Sequence, residues 1–175
     1  PKFAFKHNDV EHFEVRLKQA KIEAEKRNSG ILVISEGVFG MRGEQGILKE
    51  ICAFKEEYGF RLLVDDAHGF GTLGETGMGA GQAQGVQDQI DVYFSTFAKA
   101  MSGFGAFVSA STEIIEYFRY NLRSQIFAKT LCMPMVKGVL VRLHLLRTMP
   151  ELRENLWRNV NHLQNGLKDA GFDIG

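Results

Sequence analysis

Neither charge predominates in this sequence: 21 basic and 21 acidic residues cancel to a formal net charge of zero, and no long single-signed stretch occurs. That balance lacks the electrostatic footprint of a nucleic-acid binder, so no phosphate-backbone partner is expected. Long apolar runs are missing too. Every hydrophobic stretch is far shorter than the roughly 20 residues a membrane span needs, and the opening "PKFAFKHNDVEH" has no signal-peptide apolar region. Neither secretion nor a transmembrane segment is expected. Cysteine is scarce: Cys52 and Cys132 lie in helix-like segments without CxxC spacing, which points to buried, reduced thiols in a cytoplasmic protein rather than to a disulfide or a metal site. No repeat or low-complexity segment occurs.

What remains is an ordinary globular composition, 45% hydrophobic over 175 residues, enough for one buried core. Four runs rich in Val, Ile, Leu and Phe read as strands: "GILVISEGVF" (30–39), "RLLVDDAH" (61–68), "DVYFSTFA" (91–98) and "GAFVSAS" (105–111). The first three are nearly continuous in apolar residues, the pattern of strands covered on both faces. Helical periods separate them. Val10, Phe13, Leu17, Ala20 and Ala24 form one stripe, with Asn8 or Asp9 as N-cap, and Ile47, Ile51, Phe54 and Tyr58 form another that Gly59 ends. The alternation predicts an α/β fold with a mostly parallel sheet and right-handed crossovers. After Ser111 only helices are expected: "TEIIEYFRYNLRS", a segment opened by Pro134 with Val139, Leu143 and Leu146 on one face, and one opened by Pro150 with Leu152, Leu156, Val160, Leu163 and Leu167 as a packing stripe. The sequence begins at Pro1 rather than Met and stops at "GFDIG", where a strand is expected to start after a helix-ending glycine; we read it as a portion of a longer protein.

Gly69, Gly71 and Gly74 in "RLLVDDAHGFGTLGETG" spell G-x-G-x-x-G directly after a strand-like run. A dinucleotide cradle also needs a helix opening at the last glycine, to receive the pyrophosphate. Here more glycines follow in "GETGMGAGQAQG" (74–85), which predicts a flexible surface loop instead. The residues in front of the glycines carry more chemistry. Asp65, Asp66 and His68 fall at the carboxyl end of a strand, where open α/β sheets place their ligands. They offer too few donors for a metal, and strand alternation turns the two aspartates to opposite faces, so only one addresses a given ligand. The bland reading is that both cap neighbouring loops. Lys99 lies among Ala98, Ala100, Ser102 and Gly103, an odd setting for a solvated lysine. In a desolvated pocket its amine would lose its proton readily and form a Schiff base with an aldehyde; otherwise it reaches solvent or pairs with a carboxylate.

Three segments taken together, "SEGVFGMRGEQGILKEICAFKEEYG", "LLVDDAHGFGTLGETGMG" and "STFAKAMSGFGAF", resemble in order and spacing the α-oxoamine synthases, pyridoxal-phosphate enzymes of the fold-type I aminotransferase superfamily. "HND" (7–9) and "NLRSQIFAKTL" (121–131) extend the similarity over essentially the whole chain. The resemblance implies that Lys99 is the catalytic lysine that holds pyridoxal 5'-phosphate as a Schiff base. It implies that Asp65 pairs with the pyridinium nitrogen, that His68 contacts the ring's phenolic oxygen and takes part in catalysis, that Thr96 donates to the phosphate, and that Glu36 lies near the cofactor. It further implies a partial large domain over residues 1–147, and a connecting helix with the start of the C-terminal small domain over 148–175. The implied partners are an amino acid and an acyl-CoA, and the implied assembly is a homodimer with the active site at the subunit interface. The resemblance implies that the two substrates condense to an aminoketone, in some members acting on serine, alanine or glycine with loss of carbon dioxide.

Within the family, "STFAKA", "NLRS" and "GFDIG" are most similar to serine palmitoyltransferases, which puts L-serine with palmitoyl-CoA first. The 2-amino-3-ketobutyrate CoA ligase and 8-amino-7-oxononanoate synthase reactions follow. Gly40, Ala98 and Ala128 stand where many relatives have a hydroxyl residue. The ring-stacking residue, phosphate loop and carboxylate-binding arginine of the family lie outside this sequence, so the 175-residue piece alone is expected to be inactive. A Rossmann-like nucleotide-binding protein is the alternative of another class, and a non-catalytic subunit a third.

Overall fold

The computed structural model describes residues 1–174. Asp9 caps the first helix, α1 (Val10–Lys26), by accepting from His12 N at 2.8 Å. Strand β1 (Leu32–Glu36) follows, then a small antiparallel hairpin of β2 (Val38–Phe39) and β3 (Glu44–Gln45) that the sequence reading did not separate from β1. The expected second helix is broken at Phe54 into α2 (Leu48–Ala53) and α3 (Lys55–Tyr58), and Gly59 ends it. Next come β4 (Arg61–Asp65), the one-turn helix α4 (Ala80–Ala83), a 3-10 turn at Gln87–Gln89, β5 (Val92–Thr96) and β6 (Ala106–Ala110). The remainder is helical: α5 (Thr112–Asn121), α6 (Arg123–Ala128), α7 (Met133–Thr148) and α8 (Glu151–Asp169). The strand expected at "GFDIG" is absent from residues 171–174, and Gly175 lies outside the described residues. Cys52 is buried and its thiol is pushed up by that burial, whereas Cys132 is exposed, contrary to the expectation for both.

The sheet runs β1-β4-β5-β6, with β1, β4 and β5 parallel and β6 antiparallel to β5. Parallel partners in register share a face. One face carries Val33, Leu62, Val64 and Tyr93, all buried; the first three join Phe13 and Leu17 of α1 and Leu48 and Ile51 of α2 in a single core cluster. Burying side chains of this size contributes roughly 1.5–3 kcal/mol each. Phe13 anchors the cluster edge-on to Phe5, Phe54 and Phe60.

The opposite face differs from expectation. Leu32 and Ile34 are apolar there yet 56% and 60% exposed, so β1 is covered on one side only. This open face also carries Glu36, Asp65 and, by register through Phe94 in alternation, Thr96. The stripe of α8 is likewise half-open, with Leu152, Leu156 and Leu163 exposed. Apolar periodicity identified surfaces built for burial but not what would bury them.

At the amino edge of the sheet, Asp91 ties β4 to β5. It accepts from Lys55 Nζ at 2.6 Å, Arg61 NH1 at 2.8 Å and Leu62 N at 2.7 Å. Burial alone would raise its carboxyl, but these three donors outweigh burial and hold it below the ordinary carboxylate range. A carboxyl with a depressed folded-state value stabilises the fold above its unfolded value, and the contribution disappears as pH falls through the folded one. Asp91→Asn should therefore cost about 1–2 kcal/mol near neutrality, with the difference from the parent shrinking below about pH 4. Urea unfolding at both pH values measures it.

Candidate active site

Where β4 ends the chain turns sharply, and Asp66 is drawn wholly into the interior. Its Oδ2 accepts from Ala80 N at 2.8 Å and from the Tyr93 hydroxyl at 2.9 Å. Its own main chain is pinned as well: Asp66 N donates to Phe94 O, and Ser95 Oγ donates to Asp66 O. The other carboxylate oxygen, Oδ1, is buried without a hydrogen-bond partner. A Cβ at Gly37, Gly69 or Gly79 would stand 2.1, 2.2 or 1.8 Å from these carboxylate oxygens. The three glycines are there so that three backbone segments can close on one carboxylate. Burial raises the Asp66 carboxyl against the opposing pull of Ala80 N and the Tyr93 hydroxyl, and burial together with Asp66 drives the Tyr93 hydroxyl upward in turn.

The same carboxylate organises the loop that the glycine content marks as flexible. The helix α4 opens only at Ala80 and lasts four residues, so no helix begins at Gly74 to receive a pyrophosphate. The amides of Thr76 and Met78 converge instead on Gln82 Oε1, at 3.0 and 3.2 Å. An internal carboxamide thus takes the donors a phosphate would use. Segment 74–85 is stapled, not free, and the nucleotide reading fails on local geometry.

Because Asp66 turns inward, Asp65 faces the open side of the sheet. Its Oδ1 accepts from Ala67 N at 3.0 Å, and no described residue engages Oδ2. Glu36 is its register partner on β1. Thr96 ends β5 on the same face, but its hydroxyl donates to Gly105 O at 2.9 Å and accepts from Ala98 N at 3.1 Å. With its single proton committed, Thr96 shapes the bend that follows rather than standing free to reach a phosphate. Lys99 lies in that bend. Phe97, stacked on Phe107 with ring centroids 5.4 Å apart, and the buried Met101 hold the bend from below, while Lys99 itself is exposed. The expected desolvated pocket is not formed by these residues, because Ala98 and Ala100 beside it face solvent too.

His68 is exposed in the turn after Asp66, with its ring laid over the β2–β3 hairpin. A Cβ at Gly40 would be 2.2 Å from His68 Nε2, so the absent side chain at position 40 is the space the imidazole occupies. The hairpin is held in turn by the N-terminal segment: His7 Nε2 meets Glu44 Oε2 at 2.5 Å, and Asn8 Nδ2 donates to Gln45 O at 3.0 Å. Ala128, at the end of α6, is exposed and away from these contacts.

The carboxyl edge therefore gathers an amine (Lys99), two carboxylates (Asp65, Glu36) and an imidazole (His68). Among the described residues no group of His, Cys, Asp and Glu could hold a metal ion, and no helix is long and apolar enough to cross a membrane. Sequence reasoning singled out the four groups at the edge. It missed Gln82, Arg153 and Trp157, which fasten the loop beside them; a lone polar residue on a helix stripe carries no signal of a partner so distant in sequence.

A family model described as aminotransferase class I and II matches residues 2–175. The chain is 64% identical over 174 residues to a cysteate-C-fatty acyltransferase of Capnocytophaga ochracea, covering 99% of this chain and 41% of the relative. It is 34% identical to a serine palmitoyltransferase of Sphingobacterium spiritivorum, covering 97% and 41%. Among solved structures it is similar to Sphingomonas wittichii serine palmitoyltransferase, with a TM-score of 0.89 at 32% identity over 97% of this chain and 41% of that one. The chain thus spans about two fifths of the length of the relatives it matches.

Gly79→Ala tests the carboxylate cradle. The added carbon meets Asp66 Oδ2 at a backbone φ of +103°, so neither the side chain nor the loop can give way cheaply. A loss of roughly 2–4 kcal/mol is expected, read as a lower unfolding midpoint; Gly85→Ala, at a φ of +71° with nothing nearby, gives the cost of backbone strain without the clash and should lose less.

Proposed function

Because the chain belongs to the class I and II aminotransferase family, in its α-oxoamine synthase branch of fold-type I pyridoxal-phosphate enzymes, we propose that the full protein condenses an amino acid with a fatty acyl-CoA, releasing CoA and carbon dioxide to give an aminoketone. What supports this reading is placement: Asp65 ends β4, His68 follows three residues later, and Lys99 lies three residues beyond the end of the neighbouring β5, all at the carboxyl edge of the parallel sheet. These groups fit pyridoxal phosphate by their chemistry: an accessible amine for its aldehyde, a carboxylate with an unengaged oxygen for its ring nitrogen, and an imidazole for its phenolic oxygen. When bound, the cofactor supplies an electron-poor ring that takes up the electron pair left at an amino acid's α-carbon.

The chain's own residues divide the remaining work. Lys99 Nζ would hold the cofactor and would accept the α-proton of the amino acid. Asp65 Oδ2 would pair with the ring nitrogen and keep it charged. His68 would contact the cofactor's phenolic oxygen, Glu36 places a second carboxylate beside Asp65, and Thr96 sets the bend from which Lys99 projects. In this reading residues 1–147 belong to the cofactor-binding large domain and 148–175 to the connecting helix and the start of the small domain. The exposed Leu32 and Ile34 are consistent with further chain covering the open face. A cytoplasmic homodimer, its site completed at the subunit interface, is part of the same proposal.

For the amino acid, the 64% identity to a cysteate-C-fatty acyltransferase favours cysteate. L-serine, the first choice from the sequence, becomes the second reading, supported by the serine palmitoyltransferases at about half that identity. The full-length protein assayed with palmitoyl-CoA against cysteate, serine, glycine and alanine should release CoA fastest with cysteate; faster release with serine reverses the order. Lys99→Ala should abolish a borohydride-trappable visible band and lower the rate by roughly 10²–10⁴-fold. A colourless parent protein that binds NAD would sink the reading altogether.

A further inference from the structure

Helix α8 is tied to the loop beside the active site by polar contacts rather than by a buried face. Trp157 Nε1 donates to Thr72 O at 2.8 Å, and Arg153 NH2 donates to Glu75 O at 2.7 Å while its NH1 donates to Leu146 O at 2.8 Å. The two residues are one helical turn apart and share a side of α8. Leu152, Leu156 and Leu163 remain 50%, 40% and 63% exposed, so these donors largely decide where the helix sits.

Thr72 passes the contact on. Its main-chain oxygen takes the indole N–H, and its hydroxyl shares one proton between His68 O at 3.1 Å and Gly69 O at 3.0 Å. An unbroken path thus runs from the indole of α8 through one threonine to the backbone of His68, whose ring rests over Gly40. Gly71 N and Gly79 N, bonded to Gly77 O and Leu73 O, close the loop on itself, and Thr72 and Glu75 are where it meets α8, Thr72 being the one next to the His68 turn.

We infer that Thr72 and Trp157 are positioning residues for His68: α8, seated on the 69–77 loop, holds the turn so that the imidazole stays over the hairpin at the carboxyl edge of the sheet. The inference rests on the role proposed above for His68 at the cofactor's phenolic oxygen, and it assigns no chemical step to either residue. Losing the threonine hydroxyl takes away the donor nearest His68 O, whereas Gly69 O keeps the amides of Thr72 and Leu73. Losing the indole N–H removes the hydrogen bond of α8 to Thr72 while keeping an aromatic ring in place and leaving Arg153 on Glu75 O.

The test uses the full-length, cofactor-loaded protein and the variants Thr72→Val, Thr72→Ser, Trp157→Phe and His68→Asn. Two readouts besides activity are followed: the imidazole NMR signal of His68, identified by its absence in His68→Asn, and the absorption bands of the bound cofactor. Thr72→Val and Trp157→Phe should each displace the His68 signal and move the bands in the direction that His68→Asn moves them. Both should lower kcat about three- to tenfold with little change in KM, the rate equivalent of one hydrogen bond, and Thr72→Ser should restore the parent values. If Thr72→Val and Trp157→Phe lower Tm but leave the His68 signal and the bands where they were, the residues are merely structural and the inference is overturned. If His68→Asn leaves the bands unchanged while Thr72→Val still displaces the His68 signal, the positioning stands and the role given to His68 falls. Should Thr72→Val fail to fold, Trp157→Phe decides alone.

Discussion

The closure of three backbone segments on the carboxylate of Asp66 is the constraint from which the rest of the site follows. An ionised group without contact to water is costly unless its hydrogen bonds replace hydration, and here one oxygen accepts from Ala80 N and the Tyr93 hydroxyl while the other has no such partner. The arrangement survives because it is packed and connected from all sides. It joins the end of β4, the start of α4, the hydroxyl of β5 and the glycine that separates β1 from the hairpin. By sending Asp66 inward it leaves Asp65 no choice of side. The acid that faces the open side is placed by the acid that does not.

Most of the architecture was legible because its signals are periodic. Near-continuous apolar strands and helix stripes such as Phe13 and Leu17 state which surfaces are buried, and the order of elements states how the chain crosses over. The residues of the carboxyl edge were legible for a different reason: strand ends in an α/β sheet are where side chains escape the core, so Asp65, His68 and Lys99 were conspicuous.

What escaped the sequence was contact between segments without a period. Two-residue strands such as Val38–Phe39 and Glu44–Gln45 are too short to alternate. Glycine-rich segment 74–85 looked mobile, because glycine permits both freedom and close approach; only the position of Asp66 distinguishes the two. For Lys99 small neighbours allowed either a pocket or solvent, and the structure decides for solvent at these residues: Phe97 and Met101 point into the protein and the residues between them point out. The same limit applies to Thr96, whose hydroxyl turned out to be spent on its own bend.

The cradle around Asp66 also bears on how such a sequence can diverge. A side chain introduced at Gly37, Gly69 or Gly79 meets the carboxylate, and a shorter residue at position 66 abandons the Ala80 and Tyr93 donors while vacating room that one new methyl cannot fill. While Asp66 keeps its place, the three glycines have no room for a side chain, so positions that come from separate loops are tied to one another through a single carboxylate.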